Sequence, residues 1–242
     1  MKRSSRKQLQ SRRAIWISII VLTGMVWSLY KLSASLTLAS ASIPSTELAV
    51  SPGKSHAALQ NGTSRYKIVI DPGHGGKDPG AAGVSGKQEK AYTLALSKKV
   101  FDQLRQDPAF DVVMTRTDDT FVELGGRAQI ANELGADAFI SIHGNTYKDP
   151  DVSGTETFYY ADDSSALAHK VHEQLVKTTG FKDRGVKKEG WQVLRDSKHP
   201  AVLLEVGYLT NPDNETDMLN EARQIRTAEA IANGIKKYFT EF

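Results

Sequence analysis

The chain has 242 residues, 40% hydrophobic and 24% charged, which suits one globular domain with a real core rather than a mini-protein or a string of large domains. It contains no cysteine, so disulfides, thiolate zinc sites, iron–sulfur clusters and cysteine nucleophiles are excluded, and any metal must be held by His, Asp or Glu. The net charge of +3 is unevenly spread: residues 1–64 carry eight Lys/Arg and one Glu, leaving 23 Lys/Arg against 27 Asp/Glu from residue 65 onward. The body is therefore mildly acidic, and its charge offers no basic groove for nucleic acid.

Residues 1–13 form a basic N-terminus with Lys2, Arg3, Arg6, Lys7, Arg12 and Arg13, and the run from Ala14 to Tyr30 holds no charge. That run reaches the short end of what spans a bilayer, Trp16 and Trp27 lie where interfacial anchors sit, and the basic flank predicts a cytoplasmic N-terminus. We assign residues 14–32 as a transmembrane anchor, the competing reading being a signal segment cleaved near Ala41 at Ala39-Ser40-Ala41. Both place residues from 65 onward outside the cytoplasm. Residues 33–64, rich in Ser, Ala, Thr and Gly with Pro44 and Pro52, read as a flexible linker.

From Tyr66 short apolar runs alternate with amphipathic stretches. Tyr66 to Asp71, Val112 to Thr115, Asp137 to His143 and Ala201 to Val206 read as buried strands. Gln88 to Gln106 reads as a helix with Ala91, Leu94, Phe101 and Leu104 on one side and Tyr92, Leu96 and Val100 broadening the stripe. Arg127 to Leu134 and Ser164 to Thr178 predict two more helices, and Ile225, Ala228, Ala232, Ile235 and Phe239 mark a last one, while Gly154 to Tyr160 adds a strand of either direction. The expectation is a single α/β catalytic domain over 65–242, with a mostly parallel mixed sheet flanked by helices on both faces. Ligands of such sheets bind beyond the carboxyl ends of the strands.

Three polar groups fall at those ends: His74 after the first strand, His143 closing the third and Glu205 inside Leu203-Leu204-Glu205-Val206. A carboxylate in so apolar a run is costly to bury without a metal, a proton or a cationic partner. Each residue alone also has a plain reading. Glu205 can be a strand-end charge reaching water, His74 turn chemistry among glycines, His143 a satisfied core histidine, and Glu89 a first-turn carboxylate favoured by the helix dipole. Two His and a Glu together make the three-ligand set that leaves zinc an open fourth position for water. The helical H-E-x-x-H signature of zincin proteases is absent.

Five motifs also carry a family resemblance. Asp71-Pro72-Gly73-His74-Gly75-Gly76-Lys77-Asp78-Pro79-Gly80-Ala81, Gly86-Lys87-Gln88-Glu89-Lys90, Arg116-Thr117-Asp118-Asp119, Ser141-Ile142-His143-Gly144-Asn145 and Leu204-Glu205-Val206-Gly207-Tyr208-Leu209-Thr210-Asn211 resemble the zinc-dependent N-acetylmuramoyl-L-alanine amidases of bacterial cell walls, in order over 66–240. The resemblance implies one Zn2+ per chain held by His74, Glu89 and His143, with Glu205 as the catalytic carboxylate and peptidoglycan as the substrate. Thr146, where the family usually has Ala, and His199, where an apolar residue is commoner, depart from the pattern and bear on substrate contacts rather than on the metal set.

Other conspicuous residues have plainer roles. His169 and His172 read as a surface pair on a helix, and His56 falls in the linker. Arg116 and Arg127 read as braces for loops or partners of carboxylates. Arg195 and Asn145 are candidate substrate contacts. Glycines 75, 76, 80 and 83 match no nucleotide fingerprint.

The expected activity is hydrolysis of the amide between the lactyl group of muramic acid and L-alanine, with Glu205 as general base and acid. The alternatives are a wall-binding scaffold without activity and a zinc peptidase cutting within the stem peptide. Between His143 and Glu205 a strand, one helix and the Trp191 to Leu194 stretch leave no room for the long blocking helix that some members of the family insert. The 65–242 fragment is therefore expected to be active without an activator; the catalytic domain is expected to be monomeric, with membrane attachment through the N-terminal segment.

Overall fold

A computed structural model describes residues 65–241. The basic N-terminus, the expected anchor and the linker lie outside the described residues. No helix among the described residues is long and apolar enough to cross a membrane.

Six strands form one sheet in the order β2-β1-β3-β6-β4-β5. They are β1 (Tyr66–Pro72), β2 (Phe110–Met114), β3 (Ala138–Asn145), β4 (Thr155–Tyr159), β5 (Asp183–Lys188) and β6 (Ala201–Tyr208). β2, β1, β3 and β6 run parallel. β4 runs antiparallel to β6 and parallel to β5, which settles the direction that the Gly154 to Tyr160 pattern leaves open. The central strands read as continuous apolar runs because both of their faces are covered.

The helices are α1 (Glu89–Leu104), α2 (Leu124–Leu134), α3 (Ser165–Thr179), the single turn α4 (Gln192–Arg195), α5 (Pro212–Leu219) and α6 (Glu221–Thr240). α1, α3 and α6 cover one face, burying Ile68, Ile70, Ile140, Ile142, Val202 and Leu204 completely. α2 and α4 cover the other, over Val69, Phe139, Phe158 and Leu203. Strand residues alternate between the two layers, so Asp71, Ser141, His143, Glu156 and Glu205 belong to the α2/α4 face.

Several elements differ from the sequence reading. The inward stripe of α1 is Tyr92, Leu96, Val100 and Leu104, with Ala91 exposed and Leu94 and Phe101 half-buried. Small polar residues share that side: Thr93 Oγ1 donates to Gly73 O at 2.7 Å, and Ser97 is fully buried. On α6 Ile225 is exposed, because Gln224 takes the inward position and bonds Met218 O at 2.8 Å. α2 begins three residues earlier than the apolar pattern indicates, through Gly125 and Gly126. β5 and α5 escape the pattern altogether. β5 is a polar, half-exposed edge strand, whereas α5 starts from a polar signal: Asn211 accepts from Asn214 N and Pro212 opens the helix. His172 is not a surface residue. It is buried, with Nδ1 at 3.0 Å from Thr157 Oγ1 and Nε2 at 2.9 Å from Asp183 Oδ1, so it ties α3 to β4 and β5, while its neighbour His169 is exposed.

Candidate active site

The carboxyl ends of β1, β3 and β6 meet at one edge, as parallel strands require. β1 ends in Asp71 and Pro72, and the chain then turns sharply at Gly73. A Cβ at Gly73 would stand 2.2 Å from the His143 imidazole, so only glycine lets the loop pass this close. His74 follows with φ of 60°, the left-handed conformation that a non-glycine residue adopts only when its surroundings hold it.

Two buried arginines hold it. Arg116 donates from Nε to Pro72 O at 3.0 Å and from Nη2 to Gly73 O at 2.7 Å. Arg127 donates to Pro72 O and to His74 O, both at 2.7 Å, and pairs with Asp71 at 2.9 Å where both side chains are almost wholly buried. Asp71 also accepts from Thr115 Oγ1 and Ser141 Oγ. A buried ion pair is costly unless its remaining lone pairs and protons are satisfied, and here they are. Both arginines are thus the braces that the sequence reading expects.

The His74 ring is fixed at both nitrogens. Nδ1 lies 2.9 Å from Asp78 Oδ2 and Nε2 lies 3.0 Å from Glu89 Oε2, the arrangement in which an outer carboxylate sets the tautomer of a metal-binding imidazole. Glu89 opens α1 and is buried. Its Oε2 accepts from Ala81 N at 2.9 Å, and its Oε1 accepts from Gly144 N at 3.1 Å and faces His143 Nδ1 at 3.0 Å. Gly80 makes room for it, since a Cβ there would lie 2.6 Å from Glu89 Oε2. Burial alone raises the pKa of Glu89, but hydrogen bonds and charge from His143 and His74 outweigh it and hold the carboxyl far below the usual carboxylate range. For His74 burial acts downward, and the Glu89 and Asp78 carboxylates reverse it, leaving the imidazole above its ordinary value.

One donor atom from each of His74, Glu89 and His143 lies within 4.8 Å of the others, so the three can hold a metal ion. Two imidazoles, one carboxylate and no thiolate match a catalytic zinc set rather than a structural one. Glu205 stands directly opposite His143 in the β3–β6 register. Its Oε2 is buried and finds no hydrogen-bond partner among the described residues. Burial first, then the charges of Glu89 and Glu156, push its pKa well above the usual value. Such a carboxyl keeps a free acceptor position for a group that the protein itself does not supply.

The four residues share a cleft of about 720 Å³. Asn145 and Thr146 border it beyond His143; Phe121, Val122 and Leu124 wall it on the α2 side, and Trp191 and Val193 wall it on the α4 side. Leu124 and Trp191 are more than half exposed despite being apolar. Their roles escape the sequence reading; an exposed aromatic just before a strand that carries a buried Glu was the available signal. Arg195 is exposed, reaches Gly190 O at 3.4 Å and Asp196 at 3.4 Å, and is not among the residues that line the cleft.

Residues 68–237 match the model of the N-acetylmuramoyl-L-alanine amidase family. Among individual proteins, the Probable cell wall amidase LytH of Staphylococcus aureus is 39% identical over 175 residues, 72% of this chain and 58% of that protein, so the chain matches a little over half the length of that curated relative. The catalytic domain of CwlV, an N-acetylmuramoyl-L-alanine amidase from Paenibacillus polymyxa var. colistinus, is 44% identical with a TM-score of 0.70, covering 72% of this chain and 97% of that one. An N-acetylmuramoyl-L-alanine amidase from Clostridium difficile 630 is 39% identical with a TM-score of 0.71, covering 73% and 97%. With a family match across most of the chain and the fold shared with solved members, the chain belongs to the N-acetylmuramoyl-L-alanine amidase family.

Proposed function

We propose that the protein hydrolyses the amide between the lactyl carboxyl group of N-acetylmuramic acid and the amine of L-alanine in peptidoglycan, with one zinc ion per chain. The observation that carries this reading is the His74, Glu89 and His143 triad beside a buried carboxyl, Glu205, with an uncommitted oxygen. Zinc, when bound, supplies a Lewis acid for the carbonyl and lowers the pKa of a water. His74 and His143 contribute imidazole nitrogens, Glu89 contributes a carboxylate oxygen, and Asp78 orients His74. Glu205 takes the proton of the attacking water and passes it to the leaving nitrogen as the carbon–nitrogen bond breaks and the new carbon–oxygen bond remains. Asn145, at the rim of the cleft, is the proposed substrate contact.

We place this chemistry outside the cytoplasm, on a monomeric domain over 65–242 that is joined through the 33–64 linker to a membrane anchor at 14–32. Zinc analysis together with dye release from labelled cell wall tests the proposal. One equivalent of zinc and release that is abolished by chelation are expected. A metal-free protein that binds wall without releasing dye would make it a scaffold.

A further inference from the structure

Next to Glu205, the sheet face that floors the cleft carries a second charged cluster to which the hydrolysis assigns no task. Glu156 stands opposite Glu205 in the antiparallel β4–β6 register and is 4% exposed. Its carboxylate accepts from Arg184 Nε at 2.5 Å, from Lys187 Nζ at 2.7 Å and from the Tyr208 hydroxyl. Lys187 lies over the Phe158 ring at 5.7 Å, and Phe158 meets Trp191, the α4-side wall of the cleft, edge-on at 6.1 Å. The cluster therefore adjoins the cleft at its Trp191 wall and at Glu205, beyond the residues that line the cleft itself.

Two cations share one carboxylate, which leaves a unit of positive charge. The Arg184 and Lys187 side chains are 31% and 40% exposed, so a ligand can reach them. The Arg184 guanidinium rests over the Tyr208 ring at 5.4 Å and commits only Nε among the described residues. Its two terminal nitrogens remain as the forked donor that suits a carboxylate.

The chemistry says which part of the substrate lies here. Glu205 must reach the leaving nitrogen, so the released peptide extends on Glu205's side of the triad, toward β4 and β5 and away from the strands that carry His74 and His143. Neighbouring strands are about 4.8 Å apart, which puts the cations roughly 5–10 Å beyond Glu205. An extended peptide advances about 3.5 Å per residue, so that distance spans roughly one and a half to three residues and takes in the residue after L-alanine. In the stem peptide this residue is a glutamate joined through its side chain, and its α-carboxyl group is either free or amidated.

Resting on the amidase reading, we propose that Arg184 and Lys187, mounted on Glu156, bind the free α-carboxylate of the stem's second residue and select stems that carry it over amidated ones. The test uses the zinc-loaded full chain and two soluble muropeptides that differ only in carboxylate against carboxamide at that position. The wild type is expected to favour the carboxylate substrate by about tenfold or more in kcat/KM, as a charge-assisted pair implies. Arg184→Gln raises KM for the carboxylate substrate by about tenfold and far more than for the amidated one, with the zinc content retained. Arg184→Lys restores part of the preference. Lys187→Met, at a more exposed side chain, gives the same selective loss and serves where Arg184→Gln folds poorly. Equal rates on both substrates in the wild type, or equal losses on both in the variants, overturn the proposal while leaving the amidase reading intact. A wild type that cleaves neither substrate contradicts the amidase reading, and this inference with it.

Discussion

Glu89 and Glu205 are carboxylates on one face of the same site, but their surroundings prepare them for different work. Glu89 is committed through both oxygens to two imidazoles and two backbone amides, whereas Glu205 Oε2 has no partner among the described residues. Glu89→Ala should therefore lose zinc and activity together. Glu205→Gln keeps the shape but cannot accept a proton, so zinc should stay bound while turnover falls by ~10²-fold or more. Metal analysis of both variants separates ligand from base, and zinc loss in both would make Glu205 a ligand or a structural group. Gly73 offers a second check. A methyl group there meets the His143 ring at 2.2 Å, so Gly73→Ala should displace the ring and weaken zinc binding. Unchanged zinc affinity in a titration would show that the loop has room to give. His74, His143 and Glu205 stand out in the sequence because imidazoles and carboxylates at the ends of apolar strands are expensive to leave unexplained, whereas Glu89, in the first turn of a helix, is singled out only by the family resemblance. The proposed division of labour between the two glutamates comes from the family resemblance, since spacing says nothing about which oxygen is already engaged.

Among the elements, strands with apolar runs were readable, the edge strand β2 included, and the polar edge strand β5 was not. Ile68, Val69 and Ile70 of β1 are fully buried and form the unbroken apolar run that central parallel strands display. β5, Asp183-Arg184-Gly185-Val186-Lys187-Lys188, has the polar composition of a protected edge and leaves no such trace. Helix faces were half readable. An apolar count centres α1 on Ala91, Leu94 and Phe101, while Thr93 and Ser97 are small enough to turn toward the sheet and rotate the stripe. The polar edge has its own energetics. Burial raises the pKa of Glu156, but hydrogen bonds from Lys187, Tyr208 and Arg184 reverse that and hold it below its ordinary 4.5. A depressed carboxylate contributes stability above its unfolded pKa and loses it as pH falls through its folded value. Glu156→Gln should cost about 1–3 kcal/mol at neutral pH, and the gap to the wild type should narrow as pH drops below 4.5. Denaturant titrations at several pH values measure it, and a gap independent of pH would mean that Glu156 acts through packing rather than charge.

At the level of the whole molecule, the core clusters among the described residues draw on positions from Tyr66 to Phe239, on both faces of the sheet. The segment between β3 and β6 contains β4, a single 3-10 turn, α3, β5 and the one-turn α4, and the cleft that holds Glu205 is open to solvent along its Leu124 and Trp191 walls. The zinc-loaded 65–242 fragment should therefore cleave purified wall unaided, and cleavage that began only when a second protein was added would refute this. What defines the activity is the bond that is cut. The most direct measurement is mass spectrometry of the products that the zinc-loaded protein releases from intact sacculi. Free stem peptides with L-alanine at the N-terminus are expected, together with glycan strands whose muramic acids end in a lactyl carboxylate. Peptides that are cut between amino acids, with L-alanine still joined to the glycan, would contradict it.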